Sequence, residues 1–145
     1  MRRFQFRLEA VLNHRTTMEE LKMQALAEVH MELTECEERI SSFQKEYQKT
    51  ILARPEVMNL EDFQVREQYL DILNENIHRE ERRKEGIISR VEEARQELVT
   101  ASQARQAIER IRQKDQIEFQ KEMMKAEQEM LDEIASIRYI RRERE

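Results

Sequence analysis

The stretch Ala53–Asn59, reading ARPEVMN, decides how this chain folds. Pro55 is the only proline in 145 residues, and Gly86 is the only glycine. Proline lacks a backbone N–H and pushes the residue before it, Arg54, out of helical geometry. A helix arriving from the N-terminal side therefore ends here. A second helix can begin at once. Asn59 suits an N-cap, Asp62 sits three residues on, and Met58 and Phe63 fit the flanking apolar staple. Glu61 and Asp62 favour the positive end of the new helix dipole. Two punctuators cannot serve the many turns of an ordinary globular domain, so the rest of the chain reads as long helix folded back once.

Working outward from the turn, each flank carries a seam. Upstream, Leu26, Val29, Leu33, Cys36, Ile40, Phe43, Tyr47 and Thr50 recur at alternating steps of three and four, the spacing of a coiled coil. Nearer the start the stripe runs Phe4, Leu8, Val11, Met18, with Arg15 in a seam position; this register is offset from the later one around Leu21–Leu26. Downstream, the seam runs Phe63, Arg66, Leu70, Leu73, Ile77, Glu80, Lys84, Ile87, Val91, Ala94, Leu98, Ala101, Arg105, Ile108. It passes through Gly86 in phase, so Gly86 reads as tolerated within one helix. After Ile111 the phase slips and resumes as Met123, Ala126, Met130, Ile134, Ile137, Ile140.

The expected fold is all-α: a long two-helix antiparallel coiled-coil hairpin forming a single rod over residues 1–145, with a helix over 4–52, a turn over 53–59 and a helix over 60–143. Antiparallel folding puts Phe43 near Tyr69 and the first residues near Ile108. The unequal lengths leave the second helix overhanging beyond about Ile111. An amphipathic helix with nothing to bury against needs a partner.

Composition narrows the function. Charged and hydrophobic residues each make up 39%, dominated by strong helix formers. A net charge of −5 argues against uniform coating of nucleic acid. The charge is segregated. Arg2, Arg3, Arg7 and Arg15 open the chain, Glu19–Glu38 is acidic, Arg105–Lys114 is basic again, and Arg138–Glu145 holds four arginines. In a hairpin, Arg2, Arg3 and Arg7 meet Arg110, Arg112 and Lys114, and clustered like charge suits an acidic partner.

No chemistry-bearing motif emerges. One glycine excludes a phosphate-cradling loop. Glu75-x-x-His78 has the spacing of a helical metal-ligand pair but has no second copy, so it reads as a solvated polar face. No catalytic residue, metal or cofactor is expected. Cys36 lies in the seam and reads as a small buried hydrophobe, consistent with a reducing compartment. No apolar run reaches transmembrane length, and Glu9, Asn13, His14 and Arg15 interrupt any signal-peptide core. The aromatics near the turn have two readings. Ile40, Phe43 and Tyr47, with Tyr69 and Leu73 across the hairpin, are either internal seam or an exposed docking patch.

The two ends carry a resemblance. The opening RRFQFRLEAVLNHRTTMEE resembles the FliJ family of flagellar type III export proteins, through Phe4, Phe6, Leu8, Val11, Leu12 and Arg15. The closing EMLDEIASIRYIRRE is similar to the family's C-terminal signature, through Leu131, Asp132, Glu133, Ile134, Ala135 and Arg138. The resemblance implies a non-enzymatic stalk-like coiled coil in the flagellar export apparatus, cytoplasmic and peripheral to the inner membrane at the flagellar base. Its implied partners are the hexameric export ATPase, the membrane-embedded export gate protein and export chaperones, with no nucleic acid and a monomeric state in isolation. Carried over by position, gate contacts fall on Ile40, Phe43, Tyr47, Tyr69 and Leu73; Asn76 and Glu80 depart from the family pattern there. Contacts with the ATPase fall on Arg2, Arg3, Phe4, Phe6, Arg7, Leu8 and Val11, and on Met123, Met130, Asp132, Glu133, Ile134, Ile137 and Arg138. The rivals are a self-associating structural coiled coil, and a basic-ended binder of nucleic acid or membrane surfaces.

Overall fold

A computed structural model describes residues 2–144. It contains two helices, α1 (Glu9–Leu52) and α2 (Leu60–Glu143), and no strand among the described residues. The chain is an all-α helical hairpin. Its contacts divide into two compact units, residues 19–100 and residues 1–18 with 101–145.

In the first of these, residues 19–100, the turn is built as its residues dictate. The Asp62 N–H donates to Asn59 Oδ1 at 2.7 Å, and the Phe63 N–H donates to Asn59 O at 3.1 Å, so Asn59 caps α2 with both its oxygens. On the other side, the Ala53 N–H closes the last turn of α1 onto Lys49 O at 3.0 Å. The carbonyls that α1 leaves orphaned are taken by Arg66, whose guanidinium donates to Thr50 O and Ile51 O, each at 3.2 Å. Sequence spacing made Arg66 a seam residue; its task is to close the neighbouring helix.

The core of this unit is the seam itself. Cys36, Ile40, Ile87 and Val91 form a buried cluster, with Leu26, Val29 and Leu33 packed against it, and Leu70, Leu73 and Ile77 continue it toward the turn. Gly86 sits within α2 without a positive φ, and a Cβ there would meet open space. Ion pairs rim the seam between the helices: Lys22 with Glu97 at 3.0 Å, Arg90 with Glu32 at 2.7 Å, Lys84 with Glu37 at 3.6 Å, and Arg39 with Glu80 at 3.4 Å. As residue numbers rise on α1 they fall on α2, which fixes the antiparallel register. Exposed pairs add little stability, so their contribution is to alignment.

The second unit departs from the expectation of a helix starting at Phe4. Residues 2–6 have no regular secondary structure, 7–8 turn, and α1 starts at Glu9. The Glu9 N–H donates to Phe6 O at 3.2 Å, and the first helical bond follows from Leu12 N to Leu8 O at 2.9 Å. Burial alternates along this entry: Phe4 and Leu8 are half-buried and Phe6 is buried, while Gln5 and Arg7 are exposed. That is the two-residue period of extended chain. The Phe4 ring packs on Phe119 with centroids 5.6 Å apart and planes tilted by 54°. Phe119 lies well beyond the expected contact near Ile108, and most of that shift is already in the register of the two helices: Lys22 pairs with Glu97, where the expected Phe43–Tyr69 register would set it near Arg90. The entry before Glu9 supplies the rest, since chain outside a helix covers more than about 1.5 Å per residue.

The extended entry also resets the helical phase. Leu12, at 5% exposure, is the inward residue of the first turns of α1, and Val11, Arg15 and Met18 lie outside. The stripe Phe4–Leu8–Val11–Met18 is thus not the seam.

Candidate functional site

Three surfaces stand out. The first is the overhang. Residues 101–123 of α2 still hold half-buried positions, the last being Phe119 and Met123; from Met124 to Arg144 every residue is exposed. The overhang starts about three turns later than residue spacing suggested, because the helices pair in a register shifted along α2, with Lys22 on Glu97, and because the entry before Glu9 reaches on to Phe119. On it, Met124, Met130, Leu131, Ile134, Ile137, Tyr139 and Ile140 offer apolar side chains to solvent. Asp132 accepts from Gln128 Nε2 at 2.9 Å, and its carbonyl accepts from Ser136 Oγ at 2.8 Å. Both bonds stay within the helix, and Asp132, Glu133 and Arg138 are exposed.

The second surface is the basic entry. Arg2, Arg3 and Arg7 are exposed, as are Arg110, Arg112 and Lys114. Phe4, Gln5, Phe6 and Glu9 line a shallow cleft with Arg112, which brings the two basic segments to one place. Phe6 and Leu8 are inward anchors of this segment, and Val11 is on its outside. The charge balance differs between the units: residues 1–18 and 101–145 carry 14 basic against 11 acidic side chains, whereas residues 19–100 carry 12 against 20. The overhang and basic entry thus share the more positive unit.

The third surface lies toward the turn, and here the aromatic set divides. Ile40 and Leu73 are buried in the seam, Phe43 and Tyr47 are half-buried, and Tyr69 is 40% exposed. The Tyr69 hydroxyl donates to Glu46 Oε1 at 3.2 Å, and desolvation followed by that bond and the Glu46 charge pushes its pKa up. The two readings of the set therefore apply to different members: Ile40 and Leu73 hold the helices together, while Tyr69, Tyr47 and Phe43 present edges outward.

Residues that periodicity did not single out extend this surface. Leu52, Val57 and Leu60 are 84%, 90% and 71% exposed, and Ile51, Val65 and Ile72 are exposed beside them in sequence. Phe63, expected to open the α2 seam, is exposed as well, and burial along that seam begins only at Arg66. Large aliphatic residues off the seam, crowded around the one proline, were the available signal. Elsewhere, Glu80 is half-buried at a seam position, accepts the Cys36 thiol and pairs with Arg39. The departure from the family pattern at Glu80 is thus absorbed into the hairpin's own packing. His78 Nδ1 lies 3.4 Å from a Glu81 carboxylate oxygen, and among the described residues no cluster of His, Cys, Asp and Glu is arranged to hold a metal ion. No helix is long and apolar enough to cross a membrane among the described residues.

Comparison with known proteins gives one finding. The family model described as "Flagellar FliJ protein" matches residues 4–144. No curated protein and no solved structure matches the chain.

Proposed function

Since the chain belongs to the FliJ family, non-catalytic components of the flagellar export apparatus, we propose that it acts as a stalk that engages the hexameric export ATPase through its overhang and basic entry. The single observation that carries this reading is the run from Met124 to Arg144, helical to Glu143, apolar along one stripe and exposed throughout. An 84-residue helix whose last five to six turns bury nothing has a surface in search of a binding site. Met130, Ile134 and Ile137 supply apolar contact; Asp132, Glu133 and Arg138 supply polar recognition. Arg2, Arg3 and Arg7 meet an acidic rim on the ATPase ring. Met123 and Phe4, half-buried, support the base of the overhang. ATP turnover in the ring is coupled through this helix to opening of the export gate. The protein contributes no catalytic group.

The gate protein meets the surface toward the turn, with Tyr69, Tyr47 and Phe43 making contact and Ile40 and Leu73 holding them in place. Empty export chaperones are handed on by the same molecule at the inner-membrane face of the flagellar base. The deciding experiment is binding and stimulation of the cognate export ATPase by the full chain and by a chain ended after Met123. Full-length protein stimulates; the shortened one does not. Equal activity of the two chains removes the overhang from the mechanism. At the gate end, Tyr69→Ala weakens gate binding without loss of helicity, and a large loss of stability instead returns Tyr69 to the seam.

A further inference from the structure

The apolar stripe of the overhang begins earlier than its exposure does. Phe119, Met123, Ala126, Met130, Ile134 and Ile137 follow one another at steps of three and four, so they share one face of α2. On that face Met130, Ile134 and Ile137 are exposed, whereas Phe119 and Met123 are half-buried. The ring of Phe4 lies on Phe119, 5.6 Å away between centroids. Phe4 belongs to neither helix; residues 2–8, which precede α1, carry it. Among the described residues, no hydrogen bond or ion pair joins residues 2–8 to α2. The backbone bonds of this segment go to the first turn of α1, from Glu9 N–H to Phe6 O at 3.2 Å and from Leu12 N–H to Leu8 O at 2.9 Å. Arg2, Arg3 and Arg7 are exposed, and none of them is in an ion pair among the described residues. What holds the segment is therefore apolar: Phe6, buried, beside the start of α1, and Phe4, half-buried, at the far end. One aromatic contact is set against the conformational entropy of fixing the chain around it, and such segments open before a packed seam does.

We propose that residues 2–8 form a strap that conceals Phe119 in the free chain, and that a partner docking on the overhang lifts Phe4 away and packs on Phe119 in its place. This rests on the proposed binding of the export ATPase to the overhang and deepens it. Phe119 joins the docking face, which lengthens by roughly one and a half turns of α2. Phe4 supports the base of the overhang only until docking. Its release also frees Arg2 and Arg3 to reach acidic groups on the partner, while Phe6 keeps the root of the strap on the protein. Apolar cover and basic charge are thus tied to one event.

The experiment has two arms. The first uses the chain alone, with spin labels on Gln5→Cys and Gln120→Cys; both positions are exposed, and Cys36, at 0% exposure, stays unlabelled. A short separation is expected, and adding Phe4→Ala converts most of it to a long, broad one while helicity by circular dichroism stays unchanged. A short separation indifferent to Phe4→Ala overturns the strap. The second arm measures affinity for the export ATPase. Phe4→Ala binds about tenfold more tightly, because a strap closed in most molecules lowers apparent affinity by the fraction that is open. The Gln5→Cys, Gln120→Cys chain closed by a reducible thiol linker binds about tenfold more weakly than the same chain after reduction. The linker capped on Gln120→Cys alone has no effect. Weaker binding by Phe4→Ala, or equal binding by the linked and reduced chains, overturns the concealment of Phe119. Absence of ATPase binding in every chain, the native one included, sinks the proposed function and with it the displacement by this partner; the first arm, run without ATPase, still decides the strap.

Discussion

Arg66 and Cys36 both sit at seam positions, and each does something other than fill the seam. The Arg66 side chain is only 15% exposed and closes the last turn of α1, placing a cation at the negative end of that helix dipole. Its Nε has no acceptor in the protein, so the cap is incomplete and the remaining bonds matter more. Arg66→Ala should lower stability by about 1.5–3 kcal/mol, the range for hydrogen bonds involving a charged group. Arg66→Lys should recover part of it in urea unfolding; no loss in either would show that the carbonyls do as well with water. Cys36 has 0% exposure and donates its thiol to Glu80 O at 3.3 Å and Glu80 Oε2 at 3.4 Å. Burial, then the bond to Glu80 and its charge, pushes the thiol above the ordinary value of 9.0. The folded chain thus holds this proton more tightly than the unfolded one. The associated stability is complete below pH 9 and is lost as pH rises through the folded value. The melting temperature should therefore fall above pH 9 more steeply in the wild type than in Cys36→Ala. At the acid end, Glu32 has the opposite sign: its hydrogen bond from Arg90 lowers its pKa from 4.5, so its contribution is present above that value and fades below it.

At the scale of the elements, α2 is the unusual one. It runs 84 residues without a break, past Gly86 and past the polar seam positions Glu80 and Lys84. Glu80 is kept in register by the Cys36 thiol and Arg39, and Lys84 by Glu37, so two charged intrusions into the seam are both answered from α1. Gly86 has no such reason to be glycine, since φ is negative and the space around its Cα is open. Gly86→Ala should raise stability by about 1 kcal/mol, read as a higher urea midpoint. A loss instead would mean that α2 bends at Gly86 in solution. Spacing alone located the α2 seam from Arg66 on: Leu70, Leu73, Ile77, Ile87 and Val91 are all buried, and Arg66, Glu80, Lys84, Ala94, Leu98, Ala101, Arg105 and Ile108 are all half-buried, while Phe63, its expected first residue, is exposed. It failed for the first turns of α1. Phe4, Leu8 and Val11 fit a helical stripe by eye, but Phe4, Phe6 and Leu8 fit an extended one better. A short apolar run satisfies both periods.

For the whole molecule, stability and binding should separate. The packed seams account for the fold, and Met124–Arg144 adds nothing buried. Ending the chain after Met123 should leave unfolding free energy within about 0.5 kcal/mol of the full chain, as for changes at exposed surface. The same truncation should abolish ATPase stimulation. A large loss of stability would mean that the overhang is part of the fold and not a docking element.

The two helices, the turn at Pro55, the cap at Asn59 and the seam of α2 follow from the sequence by itself. Helix propensity, capping and apolar period are local properties that survive without knowledge of what packs on what. Tertiary structure alone decided how far the N-terminal entry reaches, which face of the first turns of α1 points inward, where the overhang begins, and which aromatic residues near the turn stay exposed. The reach of the entry and the start of the overhang depend on the register of the two helices, set by pairs such as Lys22 with Glu97 and Arg90 with Glu32, and on the few residues before Glu9 that leave the helix and seat Phe4 on Phe119. Which aromatic residues near the turn stay exposed depends on what the facing helix covers, as Glu46 meets Tyr69, and local propensity does not encode that.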